Sequence, residues 1–400
     1  MKEQRKPRSL GLIERKRQDR AARRRKNRIR ATIIICAVVV VGAAICWSPW
    51  KNLSFGNWFT GQEKKDDKKN ESVAENEIIE EVTLVPVKLE EVTHLFFHSL
   101  LVDKERAYDD EDWSTTVEDF QEIMEDLYKQ GYMLVSIHDL YEVTTDADGN
   151  EKWVPADLRL PKGKKALILS LDDVNYYHTH EDYGYASKLV LDENGDVMSE
   201  YVDAEGAVHI GAYDCVPIID QFVKEHPDMS YEGAKGIISV TGYNGILGYR
   251  TDVTYDLAHK DCDESQQEWL KAHPKFDLET ERMEAKEVVA TLKENGWEFA
   301  SHTWGHVRVG DRSLEGIQRD TEKWKTNVEP LVGETDIITF AHSQDLQEEA
   351  GAYAEANEKY QYYKEQGYHI FCNIDTAQTE TYLGTDYLRQ SRKSGETFLR

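Results

Sequence analysis

The chain has 400 residues, of which 40% are hydrophobic, with 25 glycines and 9 prolines. This composition belongs to a folded protein with a sizeable core and excludes a collagen-like or low-complexity chain. The formal net charge of −26 averages two unlike parts, because residues 1–30 contain 14 Lys or Arg and 3 Asp or Glu, which leaves 35 basic and 72 acidic residues for positions 31–400. A body this acidic repels phosphate backbones, so nucleic acid is excluded as its partner.

The N-terminal segment has the pattern of a membrane anchor. Residues 31–47 carry no charged side chain, and Trp47 and Trp50 mark the outer end of the segment. About 17 apolar residues reach the short limit for a helix that spans ~30 Å of hydrocarbon. We therefore expect a basic cytoplasmic segment at 1–30 and a transmembrane helix at 31–50, with the N-terminus kept inside by its positive charge. A cleavable signal peptide is the alternative, but the basic region is long and no clear A-x-A site follows.

Residues 51–82 have the composition of a disordered stalk. The run from Gln62 to Glu77 is charged and nearly free of apolar side chains, so it cannot offset the entropy cost of ordering. The remaining residues, 83–400, are expected to form the folded domain. Two of the five cysteines lie in the predicted span, and the other three are widely spaced, which does not indicate a disulfide framework.

Strand-like and helix-like periods alternate through the folded part. In chain order, strand patterns occur at 91–102, 132–140, 164–171, 236–242, 297–302 and 336–342, and helix patterns occur at 117–131, 215–225 and 278–295. The first helix pattern follows Thr116, a typical cap, and ends at Gly131. This alternation predicts an α/β fold with parallel strands, in which the chemistry lies on loops at the carboxyl ends of the strands.

Residues 174–235 form a predicted insertion. A hairpin pattern centred on Asn194 and Gly195 interrupts the alternation of strands and helices there. The segment is longer than a usual connection and is a candidate for a lid or a glycan cleft.

Two short motifs fall at predicted strand ends. Asp172 and Asp173 directly follow the apolar run ALILSL, and neighbouring carboxylates there can divide the work of metal binding and general base. His302 and His306 follow the strand WEFAS, and Gly305 allows the chain to turn so that both imidazoles converge on one metal ion. His94 and His98, by contrast, are separated by ~13 Å along an extended strand and cannot share an ion.

On these motifs, residues 94–345 resemble the polysaccharide deacetylase (NodB-homology) domain of carbohydrate esterases. The run ALILSLDD is similar to the strand that ends in the T-F-D-D motif of this family, and SHTWGH is similar to its S-H-T-x-x-H motif. HLFFHSL and ISVTGYNG are further, weaker similarities. The resemblance implies a distorted (β/α) barrel with about seven strands and one divalent metal ion, with zinc expected first and cobalt or nickel as alternatives.

The resemblance also implies roles for individual residues. Asp173, His302 and His306 would bind the metal, and Asp172 would be the catalytic base. The third motif of the family should fall at 340–345, where only Phe340 and Ala341 fit, and its late Leu-x-His, which supplies the catalytic acid, has no match. His342 and Gln344 are candidates for contacts to the substrate or the oxyanion, and His342 is also a candidate for the acid.

The leading hypothesis is a single-pass membrane protein with its catalytic domain outside the cell. It would remove acetyl groups from an extracellular polysaccharide or peptidoglycan, with N-acetylhexosamine of the cell wall as the expected substrate. The alternative is a catalytically weak or inactive deacetylase-fold module that binds glycan or a cell-wall partner, which the incomplete third motif and the absent Leu-x-His favour.

Overall fold

The computed structural model describes residues 82–107, 115–374 and 380–397, and residues Thr83–Arg400 are assigned to one compact unit. The segments predicted to be cytoplasmic, membrane-spanning and stalk-like lie outside the described residues, apart from Val82. Within the described ranges, no helix is both long and apolar enough to cross a bilayer.

The described chain contains sixteen strands and seven α-helices. The strands are β1 (Leu84–Pro86), β2 (Thr93–Phe97), β3 (Tyr132–Leu134), β4 (Tyr141–Thr145), β5 (Glu151–Pro155), β6 (Arg159–Pro161), β7 (Lys165–Leu171), β8 (Lys188–Leu191), β9 (Val197–Val202), β10 (Val208–Gly211), β11 (Gly236–Val240), β12 (Trp297–Ser301), β13 (Ile337–Thr339), β14 (Ile370–Ile374), β15 (Thr381–Leu383) and β16 (Leu388–Ser394). The helices are α1 (Val117–Lys129), α2 (Cys215–Glu225), α3 (Glu264–Ala272), α4 (Leu278–Glu294), α5 (Leu314–Asn327), α6 (Glu329–Val332) and α7 (Glu358–Glu365).

Seven of these strands close into a parallel barrel, in the order β2, β7, β11, β12, β13, β14, β16 and back to β2. The expected (β/α) barrel of about seven strands is therefore confirmed. The barrel is distorted in two places. Strand β3 pairs with the first residues of β7, so β11 pairs only with its last two. Strands β12 and β13 share a single residue pair, Ser301 with Ile338.

The hydrophobic periods place the helices around this barrel. The alternate residues Leu167, Leu169 and Leu171 of β7 pack in a core that includes the buried face of α1. That face consists of Phe120, Ile123, Met124 and Leu127, and each such side chain stabilises the fold by roughly 1.5–3 kcal/mol when fully buried. Thr116 caps the helix in a capping box with Asp119, and Gly131 follows its end with a φ of 82°.

Three predicted strands are much shorter in the structure than in the sequence pattern, and the pattern at 91–102 gives only β2. The pattern at 132–140 gives only β3, because Ser136 caps a 3-10 turn over Ile137–Leu140. The pattern at 336–342 gives only β13, because the chain turns sharply at His342 and Ser343, where φ is positive. The predicted hairpin at Asn194 and Gly195 is confirmed as β8 and β9, and β10 extends it to a three-stranded antiparallel sheet.

Candidate active site

The carboxyl ends of the barrel strands bring the two predicted motifs together. Asp173 follows β7, and His302 and His306 follow β12, the second neighbour of β7 in the barrel. One ligand atom from each of these three residues lies within 4.8 Å of the other two. A carboxylate with two imidazoles is a donor set that suits zinc and related divalent metals, so these residues fit such an ion.

His302 is held in the tautomer that a metal ligand needs. Its Nδ1 lies 2.9 Å from the carbonyl oxygen of Thr339, and because a carbonyl only accepts, this nitrogen carries the hydrogen. The lone pair of His302 therefore lies on Nε2, the other ring nitrogen. Burial lowers the pKa of His302, and the neighbouring acids do not offset this effect, so the ring is neutral and able to coordinate.

Asp173 is ionised and fixed by two side chains. Tyr177 donates a hydrogen bond to its Oδ1, and its Oδ2 lies 3.3 Å from Nε2 of His306. Burial alone would raise the pKa of Asp173, but the hydrogen bond and charge of His306, with His302, outweigh it and lower the pKa. In turn, Asp173 raises the pKa of His306 against the effect of burial.

The turn that carries His306 differs from the expectation. The imidazoles of His302 and His306 do converge, with ring centroids 5.1 Å apart, but the positive φ values belong to Thr303 and His306 and not to Gly305. Instead, Asp320 of α5 accepts hydrogen bonds from the backbone N–H groups of Trp304 and Gly305. A Cβ at Gly305 would lie 3.1 Å from Oδ1 of Asp320, so glycine permits this close approach.

Asp172, the expected base, forms a buried ion pair with Arg392 of β16. Nη1 of Arg392 donates to its Oδ1 at 2.6 Å, and both side chains are almost completely inaccessible to solvent. Burial alone would raise the pKa of Asp172, but Arg392 and His302 lower it, so the carboxylate is ionised and able to accept a proton. The other oxygen, Oδ2, lies 4.0 Å from Nε2 of His302. Asp172 is therefore next to the possible metal ligands Asp173, His302 and His306, called the metal-ligand set below.

A directional chain of hydrogen bonds continues from Arg392 into the barrel. Arg392 can only donate, so Ser170 accepts from it at 3.0 Å and donates in turn to Nε2 of His94. Nδ1 of His94 then donates to Oε1 of Gln390, whose amide group donates to Thr381. Burial and the charge of Arg392 lower the pKa of His94 to about 3, so His94 is neutral and structural, as expected from its distance along the strand from His98.

His98 is a site residue that the sequence reasoning missed. It follows β2 and lines the same cavity as Asp173, with Nδ1 3.6 Å from Oε1 of Glu396. Desolvation lowers its pKa, but the neighbouring carboxylate of Glu396 and the charges of Asp172 and Asp173 outweigh this effect and raise it. His98 therefore keeps its proton to a higher pH than an ordinary histidine, in the same cavity as Asp173. The sequence does contain a signal for a site residue here, because His98 directly follows the apolar strand in the run HLFFHSL.

The two remaining candidates, His342 and Gln344, lie on the loop after β13, and only His342 contacts a residue of the metal-ligand set. Nε2 of His342 donates to the backbone oxygen of His306, and burial and His306 lower the pKa of His342, so this exposed ring is a neutral neighbour of the metal-ligand set. Gln344 packs over Gly310 and is not among the described residues that line the cavity. Arg389 and Tyr353 anchor this loop through the buried carboxylate of Asp345.

Backbone strain is concentrated around these side chains. Nine non-glycine residues among those described have a positive φ, and six of them belong to the site loops: Asp173, Tyr176, Thr303, His306, His342 and Ser343. Such conformations cost roughly 1–3 kcal/mol each and persist where the surrounding structure enforces them. Their clustering supports a functional role for this end of the barrel.

A cavity of about 1260 Å³ opens over the site. Phe96, His98, Asp173, Ser343 and Glu396 line it at the barrel end, and Asp172 and His302 lie beneath them, each 1% exposed. The cavity continues away from the barrel between the insertion and α3.

Comparisons with solved structures reveal similarity to deacetylases. The Streptococcus pyogenes deacetylase PplD in complex with acetate is 13% identical, with a TM-score of 0.39 over 79% of this chain and 98% of that chain. A de-N-acetylase from Aggregatibacter actinomycetemcomitans is 13% identical, with a TM-score of 0.39 over 76% and 95% of the two chains. IcaB from Ammonifex degensii is 10% identical, with a TM-score of 0.34 over 72% and 86%.

No protein-family model matches the chain, and no curated protein matches it at a significant level. At these identities and TM-scores, the roles of individual residues rest on the contacts within this chain.

Proposed function

We propose that this protein is a metal-dependent deacetylase that hydrolyses acetyl groups on a glycan. The observation that carries the proposal is the arrangement at one end of the barrel of three possible metal ligands, a buried carboxylate paired with Arg392 and a histidine that lines the cavity. Hydrolysis of an amide or ester needs these three functions together, because water must be activated, negative charge must be stabilised and a leaving group must be protonated.

The residues of the chain divide the reaction between them. Asp173, His302 and His306 would hold the metal ion, which when bound supplies Lewis acidity to the acetyl carbonyl and lowers the pKa of water. Asp172 accepts a proton from the attacking water, and Arg392 keeps this carboxylate ionised and oriented. His98 donates its proton to the leaving nitrogen or oxygen, which supplies the acid that the sequence lacks at its C-terminal end. This assignment favours an enzyme over the binding-module alternative.

The substrate and location that we propose follow from the sequence outside the described residues. The apolar segment at 31–50, preceded by a basic segment and followed by a charged stalk, supports a single-pass anchor with the catalytic domain outside the cell. N-acetylhexosamine of the cell wall is then the acetylated glycan within reach. Fractionation of cells that express the full chain tests the location, and recovery of the intact protein in the soluble fraction would contradict an anchor.

Acetate release by the purified full-length protein tests the activity. We expect release from acetylated glucosamine oligomers and wall glycan, loss of release with a chelator and recovery with zinc or cobalt. His302→Ala should lose both bound metal and turnover, whereas His209→Ala, a change at an exposed histidine of β10, should retain both. A folded, metal-loaded protein that releases no acetate from any of these substrates would support the binding module instead.

A further inference from the structure

The cavity is larger than the proposed reaction alone requires. Pockets for single drug-sized ligands occupy roughly 300–1,000 Å³. The volume of about 1260 Å³ therefore leaves room beyond the sugar whose acetyl group lies at Asp173.

The additional volume lies between segments that are not barrel strands. One wall comes from the insertion, through Lys188 of β8 and Glu200 of β9. The opposite wall comes from α3 and the turn that follows it, through Trp269, His273 and Phe276. Both walls are thus additions to the barrel at the same end as the metal-ligand set.

Trp269 is held in a fixed orientation without any ligand. Its indole N–H donates to both carboxylate oxygens of Glu181, at 3.1 and 3.2 Å. These bonds tie α3 to the insertion, and Arg250 pairs with the same carboxylate at 2.9 Å and lies 5.8 Å from the centroid of the indole ring. His273 stacks on the indole ring with centroids 3.9 Å apart, and Phe276 meets it edge-on at 5.4 Å. The ring edge is therefore satisfied, and a rigid aromatic stack forms part of the wall.

The polar groups opposite this stack can bind hydroxyl groups. Nζ of Lys188 lies 3.3 Å from Oε1 of Glu281, and Oε1 of Glu200 accepts a hydrogen bond from Ser187. Ammonium and carboxylate groups both form further hydrogen bonds beyond these contacts. A cavity lined by aromatic rings together with donors and acceptors matches a pyranose, which has apolar C–H faces and a rim of hydroxyl groups.

We propose that Trp269, His273 and Phe276 form a distal subsite that binds another sugar unit of the same glycan chain. This inference rests on the proposed function and extends it, because the preferred substrate is then an oligomer long enough to reach from Asp173 to α3. Units bound at the distal subsite contribute binding energy without taking part in the chemistry, so longer chains are bound more tightly.

The dependence of acetate release on chain length tests the subsite. With the metal-loaded full-length enzyme and N-acetylglucosamine oligomers of two to six units, we expect kcat/KM to rise at least tenfold with length. Trp269→Ala and His273→Ala should reduce the ratio of the six-unit to the two-unit kcat/KM severalfold, mainly through KM. His273 is exposed, so this second variant keeps the test valid if Trp269→Ala fails to fold. Met283→Ala on the exposed face of α4, outside the cavity lining, is the matched control.

A binding measurement distinguishes the distal subsite from the proposed deacetylase reaction. Calorimetric titration of His302→Ala with the six-unit oligomer should give an affinity that is weakened at least fivefold by adding His273→Ala. If acetate is released but neither rate nor affinity depends on length or on these residues, the distal subsite is wrong and the deacetylase stands. If no acetate is released but binding depends on them, the subsite stands and the enzyme is wrong. If there is neither acetate release nor binding that depends on these residues, both the deacetylase and the distal subsite are wrong.

Discussion

The protonation of His98 depends on groups that the barrel brings to it from distant parts of the chain. Glu396 and the charges of Asp172 and Asp173 raise the pKa of the ring and outweigh its partial desolvation in the cavity. A histidine with a raised pKa keeps its proton to a higher pH than an ordinary one, whose pKa is about 6.5. If His98 is the catalytic acid, activity is present below this raised pKa and is lost as the pH rises through it.

Replacement of Glu396 should therefore shift the pH profile in one direction. Glu396→Gln removes the negative charge that is paired with His98, so the basic limb of kcat/KM for acetate release should move down by about one pH unit. His98→Gln, which removes the acid itself, should lower kcat/KM by roughly 10²–10⁴-fold at all pH values. An unchanged basic limb in Glu396→Gln would show that another group is the acid.

The hydroxyl group of Ser170 connects Arg392 to His94, and its loss should be costly. Ser170→Ala leaves a buried guanidinium N–H and a buried imidazole nitrogen each without this partner, which should destabilise the protein by about 1–3 kcal/mol. Because Arg392 orients Asp172, kcat should also fall. Stability is measured by urea unfolding, and kcat by acetate release.

A neighbouring serine supplies the control for this prediction. Ser239 of β11 is also fully buried, but its hydroxyl group has no hydrogen-bond partner among the described residues. Ser239→Ala should therefore change stability by much less than Ser170→Ala. Equal effects of the two substitutions would mean that the hydrogen-bond chain contributes nothing beyond the serine side chain itself.

Among neighbouring strands of the barrel, β12 and β13 share the fewest residue pairs, and the buried side chain of His138 connects them. Strands β12 and β13 share one residue pair, and His138 joins them at the end opposite the metal-ligand set. Its Nδ1 lies 2.5 Å from Oε1 of Glu298 on β12, and its Nε2 lies 3.1 Å from Asp336, directly before β13. Both ring nitrogens contact carboxylates, which only accept hydrogen bonds, so the geometry fits a charged ring that bridges the two strands.

His138→Leu should destabilise the barrel by about 3–5 kcal/mol, because the buried carboxylate of Asp336 and the partly buried carboxylate of Glu298 lose their shared partner. The matched control is His209→Leu, which breaks the exposed pair with Asp203 and should cost less than about 1 kcal/mol. Thermal or urea unfolding measures both variants. A small effect of His138→Leu would mean that the main-chain ladder alone holds β12 against β13.

The strands and helices that the sequence predicts are those in which apolar residues recur regularly. The elements that the sequence does not predict have no such pattern. The runs that form β7, β11 and β12 are rich in apolar residues, so their ends located Asp172, Asp173 and His302 correctly along the chain. Strand β16, with the sequence LRQSRKS, has no such pattern, because Gln390 and Arg392 point into a polar barrel interior. The partners of the site residues therefore could not be predicted from the sequence, because Arg392 and Asp172 are 220 positions apart.

For the molecule as a whole, metal binding and folding should be linked. A ligand that binds only the folded state at a hundred times its Kd stabilises that state by ~2.7 kcal/mol, which corresponds to a Tm increase of about 3–5 °C in a protein of this size. We expect zinc to raise the Tm of the metal-free protein by this amount and a chelator to reverse the change. Because Asp173, His302 and His306 come from two barrel strands, His306→Ala should remove the increase, whereas His259→Ala, on the long loop between β11 and α3, should retain it. A Tm increase that survives His306→Ala would place the metal elsewhere in the molecule.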